Sequence, residues 1–277
     1  MASAVSRLGS TTNLVHGFIY FAPEAAEHYA ALGVEGRAQY FGSRAAAMGP
    51  VSAGVVEATF FNFNPALVSD AIPAAWAAAR PERLQQARLA AATDVLRRID
   101  VELSDAEMAE ATDLAQRIVD GSFFAGRPLA AANREVPLPD DPWGRLWQLI
   151  TVIREWRGDA HVAALVASDL GPIEALVLHA CTGQVDAATL QSSRGWNDTS
   201  WAAGVERLRQ RGMVQQDEVA FTDGGRRFRE GVESMTDRAS QRLVDTIGEA
   251  DTHRLCDLLR PVRDALLQAG AFPFRKR

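Results

Sequence analysis

The residues best suited to chemistry sit together in one octapeptide, Arg154-Glu155-Trp156-Arg157-Gly158-Asp159-Ala160-His161. Its guanidinium, carboxylate and imidazole groups offer an anion clamp and a proton donor or acceptor. At helical pitch, Trp143, Trp147, Ile150, Arg154, Arg157 and His161 are separated by 4, 3, 4, 3 and 4 residues and share one stripe. Leu146, Leu149, Ile153, Trp156 and Ala160 form a second, apolar stripe. A helix apolar on two stripes is buried around much of its circumference. Arg154, Arg157 and His161 are therefore expected to line an interior cleft. Two readings stand side by side. In one, Trp147 helps to wall a pocket, the arginines hold an anionic ligand, and His161 moves a proton or acts as an axial metal ligand. In the other, the same groups form an ion network with Glu155, Asp159 and a neighbouring helix, locking two parts of the chain together.

Other candidates lie near the N-terminus. His16 and Tyr20 are four residues apart, on one side of a helix. Glu24 follows a proline at a helix start, and Arg44 sits in the run Gly42-Ser43-Arg44. With His161 these could build a pocket of His, Tyr, Glu and Arg, although spacing alone does not say that they meet. His28, His179 and His253 have no ligand-like partners and read as structural or exposed. Phe60-Phe61-Asn62-Phe63-Asn64-Pro65 could wall a ligand site, or could equally be core packing with the asparagines at a helix end.

The elements that must position these groups are helices. Alanine is abundant, apolar residues recur every three or four positions, and β-branched runs are scarce. A first helix is expected over Thr11–Tyr20, a second from Pro23 to a stop at Gly33, and a third over Arg37–Met48 before Gly49-Pro50. Val51–Phe63 follows, and Pro65, Pro73 and Pro81 punctuate short helices before a long one ending at Ile99. Ser104-Asp105-Ala106-Glu107 is a capping box. The proline-rich stretch 136–142 is the best linker candidate, since no helix could continue through it. It divides an N-terminal helical, ligand-binding domain (1–135) from a second domain (142–277) that begins with the long helix Trp143–Ser168.

That second domain carries a recognisable order. Helices are expected over Ile173–Cys181, Val185–Gln191 and Thr199–Arg211, the last capped by Asn197-Asp198 and closed by Gly212. Met213-Val214 and Val219–Thr222 read as two strand-like pieces around Gln215–Glu218, and a closing helix is expected over Arg227–Ile247. The segment VERLRQRGMVQQDEVAFTDGGRRFREGV resembles the recognition helix, wing and following helix of MarR-type regulators. Arg207, Leu208, Arg211, Gly212, Val214, Phe221, Thr222, Gly224 and Arg226 fall at the positions of that pattern. Most of the chain also resembles a set of uncharacterised actinobacterial helix-turn-helix proteins, through YFAPE, YFGSRAAAMGPV and REWRGDAHVAALV. The resemblance implies a mainly α fold: an N-terminal helical domain plus a C-terminal winged helix-turn-helix with a short β-ribbon wing. It also makes Arg194, Thr199, Ser200, Arg207 and Arg209 the candidate DNA contacts. This chain departs from the MarR pattern at the wing tip, Gln215-Gln216-Asp217-Glu218, which would repel phosphate. The span 171–248 holds nine arginines against eleven acidic residues.

The whole chain has 277 residues and a formal charge of −6, against an obligate nucleic-acid coat but silent on a local basic patch. Cys181 and Cys256 have no disulfide or metal spacing. No signal-peptide core and no membrane-spanning apolar stretch is present, so a cytoplasmic location is expected. Nucleotide-binding loops, HExxH and GxSxG are absent, and the cofactor is unknown, with a bound haem or flavin left open. Two functions follow. One is a small-molecule-responsive regulator that binds DNA as a homodimer paired through the terminal helices. The other is a small-molecule-binding protein or enzyme, of secondary metabolism for example, that keeps the winged helix as scaffold and its pocket around His16 and His161.

Overall fold

The computed structural model describes residues 3–272. The fold is mainly helical, and no strand occurs among the described residues. Helix α1 (Ala4–Gly17) is capped by the Ser3 hydroxyl, which accepts from Ser6 N–H, and a 3₁₀ turn, Phe18–Tyr20, extends it. It starts seven residues earlier than the periodicity suggests, because Ala4, Val5 and Leu8 also find apolar partners. Helices α2 (Pro23–Ala30) and α3 (Arg37–Ala45) are separated by a loop in which Gly33 and Gly36 adopt positive φ. Next come α4 (Ala53–Phe60), α5 (Pro65–Ala78) and α6 (Pro81–Arg98). Pro73 does not divide α5: it removes one backbone bond, but Ala71, Ile72 and Ala75 are buried around it and hold the helix together.

Helix α7 (Asp105–Gly121) starts from the capping box, with both reciprocal hydrogen bonds between Ser104 and Glu107 present. After the short α8 (Pro128–Arg134), Asp141 caps α9 (Pro142–Ala167) by accepting from Gly144 N–H at 2.9 Å. Helix α9 has 26 residues and is about 39 Å long at 1.5 Å per residue. It packs against α1, α6, α7 and α8. The remainder is α10 (Pro172–Ala180), α11 (Ala187–Ser193), α12 (Asp198–Gln210), α13 (Asp223–Asp245), α14 (Gly248–Leu258) and α15 (Arg260–Gln268). Helix α13 also lies along α9, while α14 and α15 return to pack on α1. No single helix among the described residues is long and apolar enough to cross a membrane.

Three main apolar clusters result. The largest joins α1, α2, α6, α7 and most of α9 with Leu255, Leu258, Leu259, Val262 and Leu266 from the terminal helices. A second gathers the end of α9 with α10, α11, α12 and Val232 of α13. The third holds Phe41, Phe60 and Phe63 with α5 and Leu129.

The strand-like pieces after α12 reduce to one antiparallel bridge, Val214 with Phe221, flanked by Gln215 N–H to Ala220 C=O and Thr222 N–H to Met213 C=O. The physical reason lies in α13, which begins at Asp223 rather than Arg227. The Thr222 hydroxyl caps it by accepting from Gly225 N–H, so the last residue of the returning arm serves the helix. Gly225 is required there, since a Cβ would collide with the Met213 carbonyl oxygen. Gly225→Ala is therefore expected to cost about 2 kcal/mol or more, measured by denaturant unfolding. A loss of a few tenths would show that the α12–α13 junction yields freely.

Candidate functional site

The candidate residues meet where α1, α3, α6 and α9 converge. His16 is fully buried. Its ring stacks on Trp147, with centroids 5.6 Å apart and planes at 8°. Its Nδ1 lies 3.0 Å from Thr151 Oγ1, and its Nε2 lies 2.8 Å from the Tyr20 hydroxyl. The Thr151 hydroxyl already donates to the Trp147 carbonyl at 2.9 Å. It can therefore only accept from His16, which places the ring proton on Nδ1. Nε2 is then an acceptor for the Tyr20 hydroxyl, and Tyr20 accepts in turn from Arg88 Nη2 at 3.2 Å. Burial first, and Arg88 second, push the His16 pKa well below its ordinary 6.5, so the ring is neutral. Its 3.7 Å approach to Glu155 Oε1 is accordingly not an ion pair.

Glu155 supplies the negative charge of the cluster. Arg44 reaches it from α3, with Nε at 3.4 Å and Nη2 at 3.2 Å, and Arg154 Nη1 donates at 2.6 Å. Burial opposes ionisation, but Arg154 and Arg44 outweigh it and hold the carboxyl far below the usual carboxylate range. Arg44 also donates to the Tyr40 hydroxyl at 3.1 Å and lies over the Phe60 ring at 4.1 Å. Arg88 faces the rings of Tyr20 and Trp147 at 5.2 and 5.4 Å.

His16, Tyr20, Arg44, Trp147 and Arg154 thus come together. The other candidates lie elsewhere. Glu24 pairs with Arg98 near the surface. Arg157 pairs with Glu233 and Asp237 of α13 at 3.2 and 3.0 Å, and His161 Nδ1 meets Thr236 Oγ1 at 2.9 Å. Burial lowers His161 to about 4. Arg157 and His161 therefore tie α9 to α13. Sequence reasoning missed Arg88, Tyr40 and Thr151. Arg88 was detectable, because it interrupts an apolar stripe of Leu84, Ala91 and Val95 on α6.

Of the candidate DNA contacts, Arg194 is folded over the Phe63 ring at 4.8 Å. Arg207 pairs with Glu174, and Arg209 donates to the Gln215 carbonyl at 3.0 Å. Thr199 is exposed and Ser200 half-buried in the first turn of α12, where Ser200 N–H donates to the Asn197 cap. The turn between α11 and α12 is held by the N-terminal half. Asn64 N–H donates to Arg194 C=O, Asn64 Nδ2 to Gly195 C=O, Trp196 Nε1 to Asn62 C=O, and Arg37 to Ser193 C=O, all within 2.9–3.1 Å.

Two tests follow from this electrostatics. Glu155→Gln leaves Arg44 and Arg154 without their carboxylate and is expected to cost about 3 kcal/mol in equilibrium unfolding. The second test concerns pH. His16, His161 and His179 all have folded pKa values below 6.5, so the unfolded chain binds protons that the folded chain refuses. Their stabilisation is complete above 6.5 and is lost as pH falls toward 4. Asp159, raised by burial from 3.8 to about 6, has the opposite sign: its contribution is complete below 3.8 and is lost as pH rises through 6. Three histidines outweigh one aspartate, so the melting temperature should fall between about pH 7 and pH 5. His161→Gln should flatten that slope; a melting temperature that climbs on acidification would contradict the assignment.

No curated protein and no solved structure matches this chain. The profile of one family does, over residues 5–273, which is nearly its whole length. By that match the chain belongs to a helix-turn-helix family.

Proposed function

We propose that this chain is a small-molecule-responsive transcriptional regulator of the MarR-like type, in which the buried cluster around His16 and Glu155 senses the ligand and the α11–α12 turn carries the response. The observation that supports it most is the set of hydrogen bonds between that turn and Asn62, Asn64 and Arg37, in which Asn64 and Arg37 donate and the Asn62 carbonyl accepts from Trp196. Tyr40 touches both ends of the connection. Its hydroxyl accepts from Arg44 in the cluster, and its ring lies 5.4 Å from Phe63, on which Arg194 rests. A ligand that moves Arg44 or Tyr40 thus changes the surface on which Arg194 lies. In this conformation Arg194 is withdrawn from solvent, and undocking the turn frees a cation beside the first turn of α12.

A second reading has its own observation. The exposed face of α12 and the following turn carries Asp198, Glu206, Asp217 and Glu218, a poor match to phosphate. On that reading the protein is a small-molecule binder or enzyme, and the helix-turn-helix is scaffold.

Binding to a random DNA duplex, followed by fluorescence anisotropy, separates the two. The regulator reading expects micromolar or tighter affinity at about 50 mM salt that weakens steeply toward 200 mM. Asn64→Asp keeps the α5 cap but removes the Nδ2 donor to Gly195, so it should bind the duplex more tightly than the wild type. If neither protein binds at the lower salt, the scaffold reading replaces the regulator.

A further inference from the structure

We infer that the cluster between α1, α3, α6 and α9 is a binding site for a small organic oxyanion, a carboxylate or phosphate, received by Arg88 and Trp147. This rests on the reading that the cluster senses a small molecule, and it does not require that DNA be bound.

The first argument is charge. Arg44 and Arg154 pair with a single carboxylate, Glu155, Arg88 has no carboxylate partner among the described residues, and the His16 ring between them is neutral. That leaves two positive charges without a counter-ion in a part of the protein largely removed from water. The other charged groups nearby do not correct the balance. Asp159 accepts from Ala130 N–H and faces both Arg44 and Arg127, so Asp159 and Arg127 together add one charge of each sign and leave the excess as it was. Arg194, beyond Tyr40 and Phe63, adds a further cation and has no carboxylate partner among the described residues. Buried charge in such excess is stable only with a partner.

The second argument is hydrogen bonding. Arg88 Nη1 and Trp147 Nε1 are both buried donors with no acceptor among the described residues. Arg88 is 7% exposed and Trp147 1%. The two groups are neighbours, with the Arg88 guanidinium carbon 5.4 Å from the Trp147 ring centre. Nearly all buried donors in folded proteins are satisfied, so two adjacent orphans mark a missing acceptor. A water molecule could take the hydrogen bonds, but it could not balance the charge. An oxyanion does both, and charge-assisted bonds from a guanidinium are the strong kind. Tyr20, Tyr40, Arg44 and Arg154 are the half-buried members of the cluster, so the anion reaches Arg88 from their side. Its organic part then lies against the Tyr20 and Tyr40 rings, which are 5.0 Å apart.

The full chain, without DNA, tests this by thermal denaturation in sodium acetate, sodium phosphate or sodium chloride at equal ionic strength. Acetate or phosphate at about 20 mM, well above a millimolar Kd, is expected to raise the melting temperature beyond the chloride control. The arm that responds identifies the carboxylate or the phosphate as the preferred group. Arg88→Gln should abolish the response. Trp147→Phe keeps the ring, removes only the N–H, and should weaken binding about tenfold. Arg254→Gln, a surface control paired with Glu110, should respond like the wild type. If acetate and phosphate both behave as chloride does, the inference fails. It also fails if Arg88→Gln folds and still responds, or if Trp147→Phe and the wild type respond equally. Oxyanion stabilisation without duplex binding would end the regulator reading and keep the site, whereas duplex binding without oxyanion stabilisation would do the reverse.

Discussion

Glu155 is an ionised carboxylate almost without access to water, and the arrangement of the helices around it follows from keeping it charged. Its desolvation is offset only by guanidinium groups that approach closely. Arg154 comes from the same helix, and Arg44 must be delivered from α3. Delivering Arg44 brings Tyr40 and Phe60 with it, because its guanidinium also binds the Tyr40 hydroxyl and covers the Phe60 ring. The third apolar cluster is thereby pinned to α9 through a polar contact. On the other side, His16 fills the space between Glu155 and Trp147 as a neutral ring.

The same small device occurs twice. In α9 the Thr151 hydroxyl donates to the carbonyl one turn back, at Trp147, and presents a lone pair to His16. In α13 Thr236 donates to Val232 C=O and presents a lone pair to His161. In both cases a helix backbone fixes the hydroxyl rotor, and the rotor fixes the imidazole tautomer. The outcomes differ because of what faces the other nitrogen. His16 Nε2 meets a tyrosine in the arginine cluster. His161 lies among the ion pairs of Arg157, Arg229 and Glu233, where it serves the junction of α9 with α13.

Several helix starts were legible in the sequence, since the Ser104 capping box, Asn197 and the prolines act locally, whereas Asp141, which reads as part of a linker, is the cap of α9. The burial of α9 was legible too, from its two apolar stripes. What each stripe faces was not. Periodicity fixes the angle of a side chain about its own axis but not the identity of the neighbour. The stripe from Trp143 to His161 changes partner along its length: Trp147 and Arg154 meet His16 and Asn13 of α1, whereas Arg157 and His161 bond to Glu233, Asp237 and Thr236 of α13. That is why Arg154 belongs to the cluster and Arg157 does not, although three residues separate them. Glu24 was misplaced for a similar reason: the chain turns after the 3₁₀ segment, and the residue faces Arg98 instead of His16. The β-ribbon was overestimated because a threonine that reads as strand serves as a helix cap.

The continuity of α9 has a consequence for how such a chain can vary over evolutionary time. Each residue added to an α-helix turns everything beyond it by about 100°. An insertion or deletion between Trp147 and His161 would swing either the Glu155 pairings or the α13 pairings out of register, and no shift of one end repairs the other. The loop at 136–141 and the exposed turn at Gln215–Glu218 carry no such constraint. Length should therefore be invariant along this one rod and free to drift at those connections, so that alignments of related chains would pivot on it.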